Sequence, residues 1–451
     1  MKIDFKNFGC IDEGSIELND FTLFCGKNNS GKTYAMYSIY GLLSQKFNIS
    51  FDFVKPIVDK LKLDGSYCLD IVEIIAEHKV DMIRHIEDSF KRHLPSLFGV
   101  ADTEFSNSKV QLFFSNDEIQ ERIRYDGSYG HTMSEKGNTW TSSVILRDGK
   151  ILLTLDKVPA TDNILQSFIS EKLVHIIFFD GSPFNRLNLL PAERAGINLF
   201  FKELLSTRNL LLQQAQNDNV NPMHLLKDIL SSRYAEPIKD YMQFLNWIGI
   251  NQAEISNYSQ YADSIEKNVL AGKYEVDDFG NIFFIPSDNK NKLPLHFSSS
   301  TVKTLFGLVF YLKHFAKTDD YLMIDEPELN LHPDNQREVA RVLAQLVNAG
   351  LKVIVSTHSD YFVRELNNLI MLKTDFTGAS ALQKKYGYQD NELLAGKRVS
   401  AYLFDDKKIT PMVLNEEGIV AETFNDVINK LNQSSNEIYY AMQDAKELES
   451  W

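Results

Sequence analysis

Eight residues near the amino terminus combine glycine, lysine and threonine at the spacing of a phosphate-binding loop. They are Gly26, Lys27, Asn28, Asn29, Ser30, Gly31, Lys32 and Thr33. The glycines let the backbone curl so that several N–H groups face one anion, Lys32 can reach the β- and γ-phosphates, and the Thr33 hydroxyl can ligate Mg²⁺. The pattern predicts an ATP site with Mg²⁺ as cofactor; the alternative is a Gly/Asn/Ser turn that has this spacing by chance.

The loop needs particular flanking elements, and the sequence provides them. An apolar run at residues 21–25 predicts a buried strand that leads into the loop, and residues 33–43 predict a helix that follows it. This order puts the loop at the amino terminus of a helix, where unpaired backbone N–H groups favour an anion.

Two adjacent carboxylates, Asp325 and Glu326, follow a second apolar run at residues 321–324. Carboxylates at the tip of a buried strand are costly unless they have a role. Asp325 is expected to hold the Mg²⁺ shell, and Glu326 to polarise an attacking water as a general base. The alternative is a solvated strand end without a catalytic role.

Composition limits the classes of protein that the chain can belong to. The 451 residues contain 47 basic and 61 acidic side chains, a formal charge of −14, and 44% of residues are hydrophobic. The hydrophobic fraction is typical of a globular protein. The negative charge argues against long-range attraction to bare DNA or an anionic membrane, although a local contact with DNA stays open. Cys10, Cys25 and Cys68 cannot form a disulfide framework, and no signal peptide or membrane span is evident, so we expect a cytoplasmic protein.

Strands and helices alternate in the last third, which predicts a parallel α/β layer. The predicted strands there are 321–324, 352–356 and 400–404, and the predicted helices are 333–348, 361–367 and 422–431. Earlier in the chain we predict strands at 110–114, 144–146, 151–155 and 173–179, mainly helical stretches at 52–98 and 196–270, and a hairpin at 274–285.

Three segments now support a resemblance to a known family. Asp325-Glu326-Pro327-Glu328-Leu329-Asn330-Leu331-His332-Pro333 resembles the Walker B and D-loop segment of ABC-class ATPases, in the branch of Rad50, SMC and OLD-type proteins (the AAA_15 and AAA_21 group). Ser356-Thr357-His358-Ser359 resembles the switch-histidine loop of that branch. The N-terminal stretch from Phe5-Lys6-Asn7-Phe8 through Gly26 resembles its opening hairpin. The resemblance implies Mg²⁺-dependent ATP hydrolysis, with His358 contacting the γ-phosphate and Asn330 as a further site candidate.

The resemblance also implies a fold. It is an α/β ABC-type ATPase head, in which an N-terminal mixed β lobe joins a RecA-like lobe with a parallel sheet, and a largely helical insertion interrupts the head. Mapped onto this chain, lobe I covers 1–50 and 100–195, lobe II covers 291–451, and the helical insertions cover 51–99 and 196–290.

Two further segments match the family less closely. Ser298, Ser299 and Ser300 open a predicted helix where ABC-class ATPases present a Ser-Gly signature to the γ-phosphate on the opposite protomer. Ser300 stands where the family has a glycine, and this replacement affects how closely the phosphate can approach and thus the rate of ATP hydrolysis. The alternative role of the three serines is helix capping. Pro191-Ala192-Glu193-Arg194 resembles a segment of OLD-like ATPases and places Arg194 near the nucleotide, whereas the alternative is an ordinary helix start.

The residues around 300–430 are most similar to stand-alone ATPase subunits of the PARIS and Septu anti-phage defence systems. This resemblance implies a sensor and scaffold that holds a separately encoded nuclease, of Toprim or HNH type, and releases it on a phage-derived trigger. It also implies a head-to-tail dimer and a trimer of dimers. The competing interpretations are a Rad50- or SMC-like ATPase in DNA repair or chromosome maintenance, which would need a long coiled coil, and the nucleotide-binding subunit of an ABC transporter.

Overall fold

A computed structural model describes the chain in segments. These are residues 1–123, 127–135, 138–147, 149–155, 162–179, 187–203, 234–248, 255–277, 279–288, 291–374, 376–415, 418–420 and 430–442. The strands are β1 Lys2–Phe8, β2 Ile11–Glu17, β3 Phe21–Gly26, β4 Ser66–Asp70, β5 Lys109–Phe113, β6 Gly127–Glu135, β7 Asn138–Arg147, β8 Lys150–Leu155, β9 Leu187–Leu190, β10 Gly272–Val276, β11 Ile282–Pro286, β12 Leu293–Pro294, β13 Tyr321–Asp325, β14 Lys352–Thr357, β15 Val399–Asp405, β16 Lys408–Pro411, β17 Leu414–Asn415 and β18 Gly418–Ile419.

The α-helices with complete bounds surround these strands. They are α1 Lys32–Ser44, α2 Lys55–Asp64, α3 Ile71–Phe98, α4 Asn116–Ile123, α5 Asp162–Phe178, α6 Glu236–Trp247, α7 Ser259–Asn268, α8 Ser300–His314, α9 Pro333–Asn348, α10 Asp360–Lys373 and α11 Ala379–Tyr386. Residues 194–203 and 430–442 are also helical. No helix in the described segments is long and apolar enough to cross a membrane.

A nine-stranded sheet organises the molecule, in the order β5-β1-β2-β16-β15-β3-β14-β13-β9. The strands β15, β3, β14, β13 and β9 are all parallel to one another. Their carboxyl ends consequently lie along one side of the sheet, which we call the carboxyl edge. Beyond β15, the strands β16, β2, β1 and β5 continue the sheet mainly by antiparallel pairing, so the expected α/β fold with a mixed and a parallel part is confirmed.

Each face of this sheet carries its own hydrophobic core, and β13 shows how the sequence separates them. Met323 packs into the core that contains α1, α3 and α5, whereas Leu322 and Ile324 pack into the core that contains α8, α9 and α10. Successive side chains of a strand point to opposite faces, so an uninterrupted apolar run is what a strand covered on both faces requires.

The sheet also joins the two predicted lobes. β15 and β16, which belong to 291–451, pair with β3 and β2 of the first 50 residues. Within 51–99, which we expected to be helical, α2 and α3 are accompanied by β4, which pairs with β8 in a second, four-stranded antiparallel sheet. The expected hairpin around 274–285 is formed by β10 and β11.

The prediction of a strand at 173–179 is wrong, because residues 173–178 form the last part of α5. The helix is buried on nearly all sides, with Leu165, Phe168, Leu173 and Ile177 among its buried residues. A short apolar run cannot distinguish a buried strand from a buried helix by periodicity. The helix predicted at 422–431 falls mostly outside the described residues, whereas the one predicted at 333–348 coincides with α9.

Truncation of Ile354 should show how much the central sheet contributes to stability. Ile354 lies in β14 and is fully buried. We expect Ile354→Ala to lower the free energy of unfolding by about 2–5 kcal/mol, through lost burial and the cavity left behind. Leu63→Ala is the control, since Leu63 is 84% exposed on α2 and should change stability by no more than about 0.5 kcal/mol. Urea unfolding measures the free energy of unfolding of both variants. Equal losses of stability in the two variants would contradict the assignment of Ile354 to the core.

Candidate functional site

The parallel strand order brings the predicted site segments together at the carboxyl edge. Asp325 at the end of β13 lies opposite Ser356 of β14, and Thr357 of β14 lies opposite Cys25 of β3. The phosphate-binding loop leaves β3 immediately after this point. Segments far apart in sequence therefore meet because adjacent parallel strands end together.

The two glycines of the loop occupy positions that other residues cannot. Gly26 has φ +148°, and a Cβ there would lie 2.3 Å from the carbonyl oxygen of Phe404. Gly31 has φ +104°, and a Cβ there would lie 2.8 Å from Cγ1 of Ile11. Both the left-handed backbone and the close neighbours require glycine. The neighbouring residues Phe404 of β15 and Ile11 of β2 thus shape the loop.

Lys32 bridges two backbone carbonyl groups of the phosphate-binding loop. Its side chain is largely buried, and Nζ donates to the carbonyl oxygens of Gly26, at 2.9 Å, and Lys27, at 2.7 Å. Burial lowers the pKa of Lys32, while the nearby carboxylates of Glu326 and Asp325 oppose this shift. A desolvated ammonium that donates to two carbonyl oxygens is well placed to accept a phosphate as its counter-ion.

The other residues of the loop divide into an inner and an outer group. Ser30 Oγ is shielded from solvent and has no hydrogen-bond partner in the described part of the chain. Asn28 and Asn29 are exposed, and the exposed ammonium of Lys27 lies 3.7 Å from a carboxylate oxygen of Asp405. The following helix, α1, begins without a capping side chain. Unpaired donors at Ser30 and in the first turn of α1 fit a bound phosphate group.

Asp325 links the loop to the neighbouring strand. Its Oδ2 accepts a hydrogen bond of 2.9 Å from the Thr33 hydroxyl, and its Oδ1 accepts one from the Ser356 hydroxyl. The carboxylate is almost completely buried. Hard oxygen donors such as these are the ligands that Mg²⁺ prefers, so Thr33 and Asp325 fit the cation that accompanies a nucleotide.

Glu326 and His358 face each other beside this pair. Glu326 has φ +53°, which is uncommon for a residue with a side chain, and its N–H donates to the Ser356 carbonyl over 3.1 Å. His358 Nδ1 lies 3.3 Å from Oε1 of Glu326. Both side chains are partly exposed, so the carboxylate and the imidazole are accessible from solvent.

Glu328 is a site residue to which the sequence motifs assigned no role. Its Oε1 accepts hydrogen bonds from the Thr357 hydroxyl, at 2.7 Å, and from the His358 N–H, at 2.9 Å. Burial raises the pKa of Glu328, and these hydrogen bonds act in the opposite direction. Glu328 therefore anchors the loop that carries His358. The sequence signal that could have indicated this role is a glutamate among the mainly apolar residues that follow Glu326.

The sequence was then compared with known families and structures. The model of the AAA ATPase domain family, AAA_15, matches residues 1–363. This chain belongs to the AAA_15 family of ATPases. Membership was predicted from the motifs at both ends of the chain and is confirmed.

Solved structures of SMC heads are similar to this ATPase only at a low level. The SMC head domain from Thermotoga maritima has 10% identity and a TM-score of 0.30, covering 91% of this chain and 98% of that one. The Smc head domain with an extended coiled coil, bound to the C-terminal domain of ScpA derived from Pyrococcus furiosus, has 14% identity and a TM-score of 0.35, covering 96% and 98%. The SmcHead bound to the C-winged helix domain of ScpA has 16% identity and a TM-score of 0.36, covering 92% and 98%. No curated protein matches.

Arg194 of the ATPase binds backbone carbonyl groups at the carboxyl end of β13. The side chain is 2% exposed. One terminal nitrogen donates to the carbonyl oxygens of Pro191 and Asp325, and the other donates to that of Glu326. Burial lowers the pKa of Arg194, and the surrounding carboxylates oppose the shift. Arg194 lies near the predicted nucleotide site, as the sequence suggested, but those nitrogens bind protein carbonyls.

The signature-like serines of the ATPase open α8 as predicted. Ser299 caps the helix by accepting a hydrogen bond from the Val302 N–H, while Ser300 is exposed. Ser298 is buried, and its hydroxyl donates to the Pro294 carbonyl. Capping thus accounts for Ser299, and the exposed groups at this helix start are those of Ser299 and Ser300.

Asn330 connects the segment after Glu326 to the same helix. It has φ +61°. Its carbonyl accepts from the Thr301 hydroxyl over 3.0 Å, and its amide donates to the Thr304 hydroxyl over 3.2 Å. The contacts of Asn330 are therefore with α8.

Thiol reactivity tests the environment at the end of β3. Cys25 is buried, Cys10 is partly exposed and Cys68 is exposed. Burial raises the pKa of Cys25 to about 12, and thiolates are the reactive form. We expect Cys68 and Cys10 of the native ATPase to react with Ellman's reagent, and Cys25 to react only in denaturant. Mass spectrometry identifies the labelled residues; labelling of Cys25 in the native protein would contradict its placement.

Replacement of Glu328 should change how stability depends on pH. The pKa of Glu328 is raised in the folded state, so the unfolded state loses its proton first as pH rises. Stability should therefore fall as pH rises from the unfolded pKa through the raised folded pKa. Glu328→Gln keeps an acceptor oxygen and should lack this fall, whereas Glu77→Gln, at a largely exposed carboxylate on α3, should retain it. Urea unfolding at a series of pH values measures the effect, and parallel curves for wild type and Glu328→Gln would refute it.

Proposed function

We propose that this AAA_15 chain binds ATP with Mg²⁺ and hydrolyses it at the carboxyl edge. The observation that carries this proposal is the cluster around Asp325, which is hydrogen-bonded to Thr33 of the phosphate-binding loop and adjoins Glu326 and His358. A phosphate-binding loop, a magnesium ligand and a base in contact are the parts that hydrolysis of a nucleoside triphosphate requires.

Each residue has a defined task in this mechanism. Lys32, with the N–H groups at the start of α1, holds the β- and γ-phosphates, and Ser30 offers a further donor. Thr33 and Asp325 hold Mg²⁺, which supplies neutralisation of the phosphate charge when it is bound. Glu326 accepts a proton from the attacking water. His358 lies 3.3 Å from Glu326 and donates a hydrogen bond to the γ-phosphate.

We further propose that two copies associate head to tail, so that the start of α8 closes the site of the partner. The exposed Ser299 and Ser300 support this, because a helix amino terminus combines backbone donors with a favourable dipole for phosphate. Phe297, which is 75% exposed, lies beside them. A large exposed aromatic side chain at that position is consistent with an interface.

For the cellular role, we propose an ATP-dependent sensor in anti-phage defence that holds a separate nuclease and releases it on a phage trigger. Support comes from the resemblance of the sequence to stand-alone ATPases of defence systems. ATP occupancy would then bias the shape of the assembly, since a ligand shifts an equilibrium towards the state that it binds more tightly. A repair ATPase of the Rad50 or SMC kind is the competing function.

The Glu326→Gln variant tests the assignment of the base. We expect it to bind ATP with wild-type affinity, because the loop is untouched, and to lose nearly all turnover; removal of a general base costs about 10²–10⁴-fold. Glu77→Gln is the control, at an exposed carboxylate on α3. Equilibrium binding and phosphate release measure the two quantities. Unchanged phosphate release in Glu326→Gln would eliminate Glu326 as the base.

Co-purification tests the cellular role. We expect the tagged ATPase, expressed with its neighbouring genes, to retain a Toprim or HNH nuclease, and Glu326→Gln with ATP to alter how much nuclease is retained. Retention of recombination or chromosome-structural proteins instead would favour the repair function. Protection against phage, measured by plating efficiency, should require both the nuclease and Lys32.

A further inference from the structure

The helical residues 194–203 contact the two parts of the ATPase that act on nucleotide. At their start, Arg194 donates to the carbonyl oxygens of Asp325 and Glu326, each over 2.6 Å. One turn later, the side-chain amide of Asn198 donates to the carbonyl oxygen of Lys303 over 2.7 Å. Lys303 lies in the first turn of α8. One short helix therefore touches both the catalytic strand end and the signature-like helix.

Tyr241 of α6 fixes the second contact. Its hydroxyl donates to Oδ1 of Asn198 over 2.7 Å, so the two polar ends of the amide are both occupied. The same hydroxyl packs against α8 so closely that a Cβ on Gly307 would lie 2.1 Å from it. Glycine in the middle of a helix is unfavourable, and here the close approach of Tyr241 accounts for it.

All three polar side chains are inside the protein. Arg194 and Asn198 are 2% exposed and Tyr241 is 1% exposed. Buried polar groups that are fully hydrogen-bonded resist displacement, because losing a partner leaves an unsatisfied group away from water. By contrast, Asn330, which also contacts α8 through Thr301 and Thr304, is itself exposed. The buried contacts thus form the stiffer connection between the catalytic strand end and α8.

We propose that residues 194–203 are a strut that couples the nucleotide site to α8, with Arg194 and Asn198 as positioning residues. Arg194 holds the backbone of Glu326, and Asn198 transmits displacement of that strand end to the first turn of α8. This inference rests on the proposed function, since α8 acts on the site of a second copy. Through the strut, binding of ATP to one chain alters the surface that the start of α8 in that chain presents to the partner.

Asn198→Ala in the Glu326→Gln background tests the strut. We expect ATP affinity to stay unchanged, because no residue of the phosphate-binding loop contacts Asn198 in the described structure. ATP with Mg²⁺ should slow amide hydrogen exchange in the first turn of α8 in the parent and fail to do so in Asn198→Ala. ATP-dependent self-association, measured by analytical ultracentrifugation, should weaken by about tenfold, as expected for the loss of one buried hydrogen bond.

Matched variants separate this role from general destabilisation. Asn198→Asp keeps the acceptor for Tyr241 but removes the donor to Lys303, and should reproduce the defect. Tyr241→Phe keeps that donor and should have a smaller effect. Lys202→Ala, on the same segment but with exposed contacts to Phe279 and Asn281, should match the parent. Wild-type exchange and association in Asn198→Ala would overturn the proposal.

Two outcomes distinguish the strut from the function on which it rests. A parent that binds ATP and shows slower exchange in α8, yet does not self-associate, would refute the head-to-tail dimer and leave the strut supported. A parent whose α8 exchange does not respond to bound ATP would refute the strut.

Arg194→Lys tests the other end of the strut in an otherwise wild-type chain. Lysine keeps the charge but cannot bridge the carbonyls of Asp325 and Glu326 as the planar guanidinium does. We expect kcat to fall by at least about tenfold, the effect of losing one hydrogen bond to a charged group, with KM unchanged. Wild-type kcat in Arg194→Lys would overturn the positioning role.

Discussion

The buried carboxylate of Asp325 is the interaction on which the site depends. It accepts hydrogen bonds from Thr33 and Ser356, and its backbone carbonyl accepts from Arg194. The phosphate-binding loop, the strand β14 and the helical residues 194–203 are therefore joined at one residue. A buried charge is tolerated only when its partners are in place, and a hydrogen bond to a charged group typically contributes about 1.5–3 kcal/mol. The geometry of the site and the stability of the sheet are consequently linked.

The charges around Asp325 act in a medium from which water is largely excluded. Lys32, Asp325, Glu328 and Arg194 are all buried within a few residues of the strand ends. Burial lowers the pKa of both cations and raises that of Glu328, and the opposite charges nearby limit these shifts. Electrostatic interactions are stronger in such a setting than in water. A chain with a formal charge of −14 can thus bind an anionic nucleotide, because local donors govern binding.

Several elements could be predicted because their signals are local. The helix predicted at 333–348 coincides with α9, which begins at a proline, and the phosphate-binding loop was predicted from a spacing of eight residues. By contrast, α5 was assigned partly to a strand, since its buried apolar residues lack a polar face. The roles of Glu328 and Asn198 were not predicted, because both depend on contacts with residues distant in sequence, His358 and Lys303.

The sequence by itself determined the chemistry of this ATPase: a phosphate-binding loop, two acidic residues after a strand and a histidine after another. Each of these features lies within one short stretch of sequence, and the residues next to it set the backbone geometry that it requires. Only the tertiary structure decided how the segments are held. The pairing of β3, β14, β13 and β9 brings their carboxyl ends together. Arg194 faces backbone carbonyls, and one short helix joins the carboxyl end of β13 to α8. Strand order and buried hydrogen bonds arise from packing across the whole chain, so no local pattern encodes them.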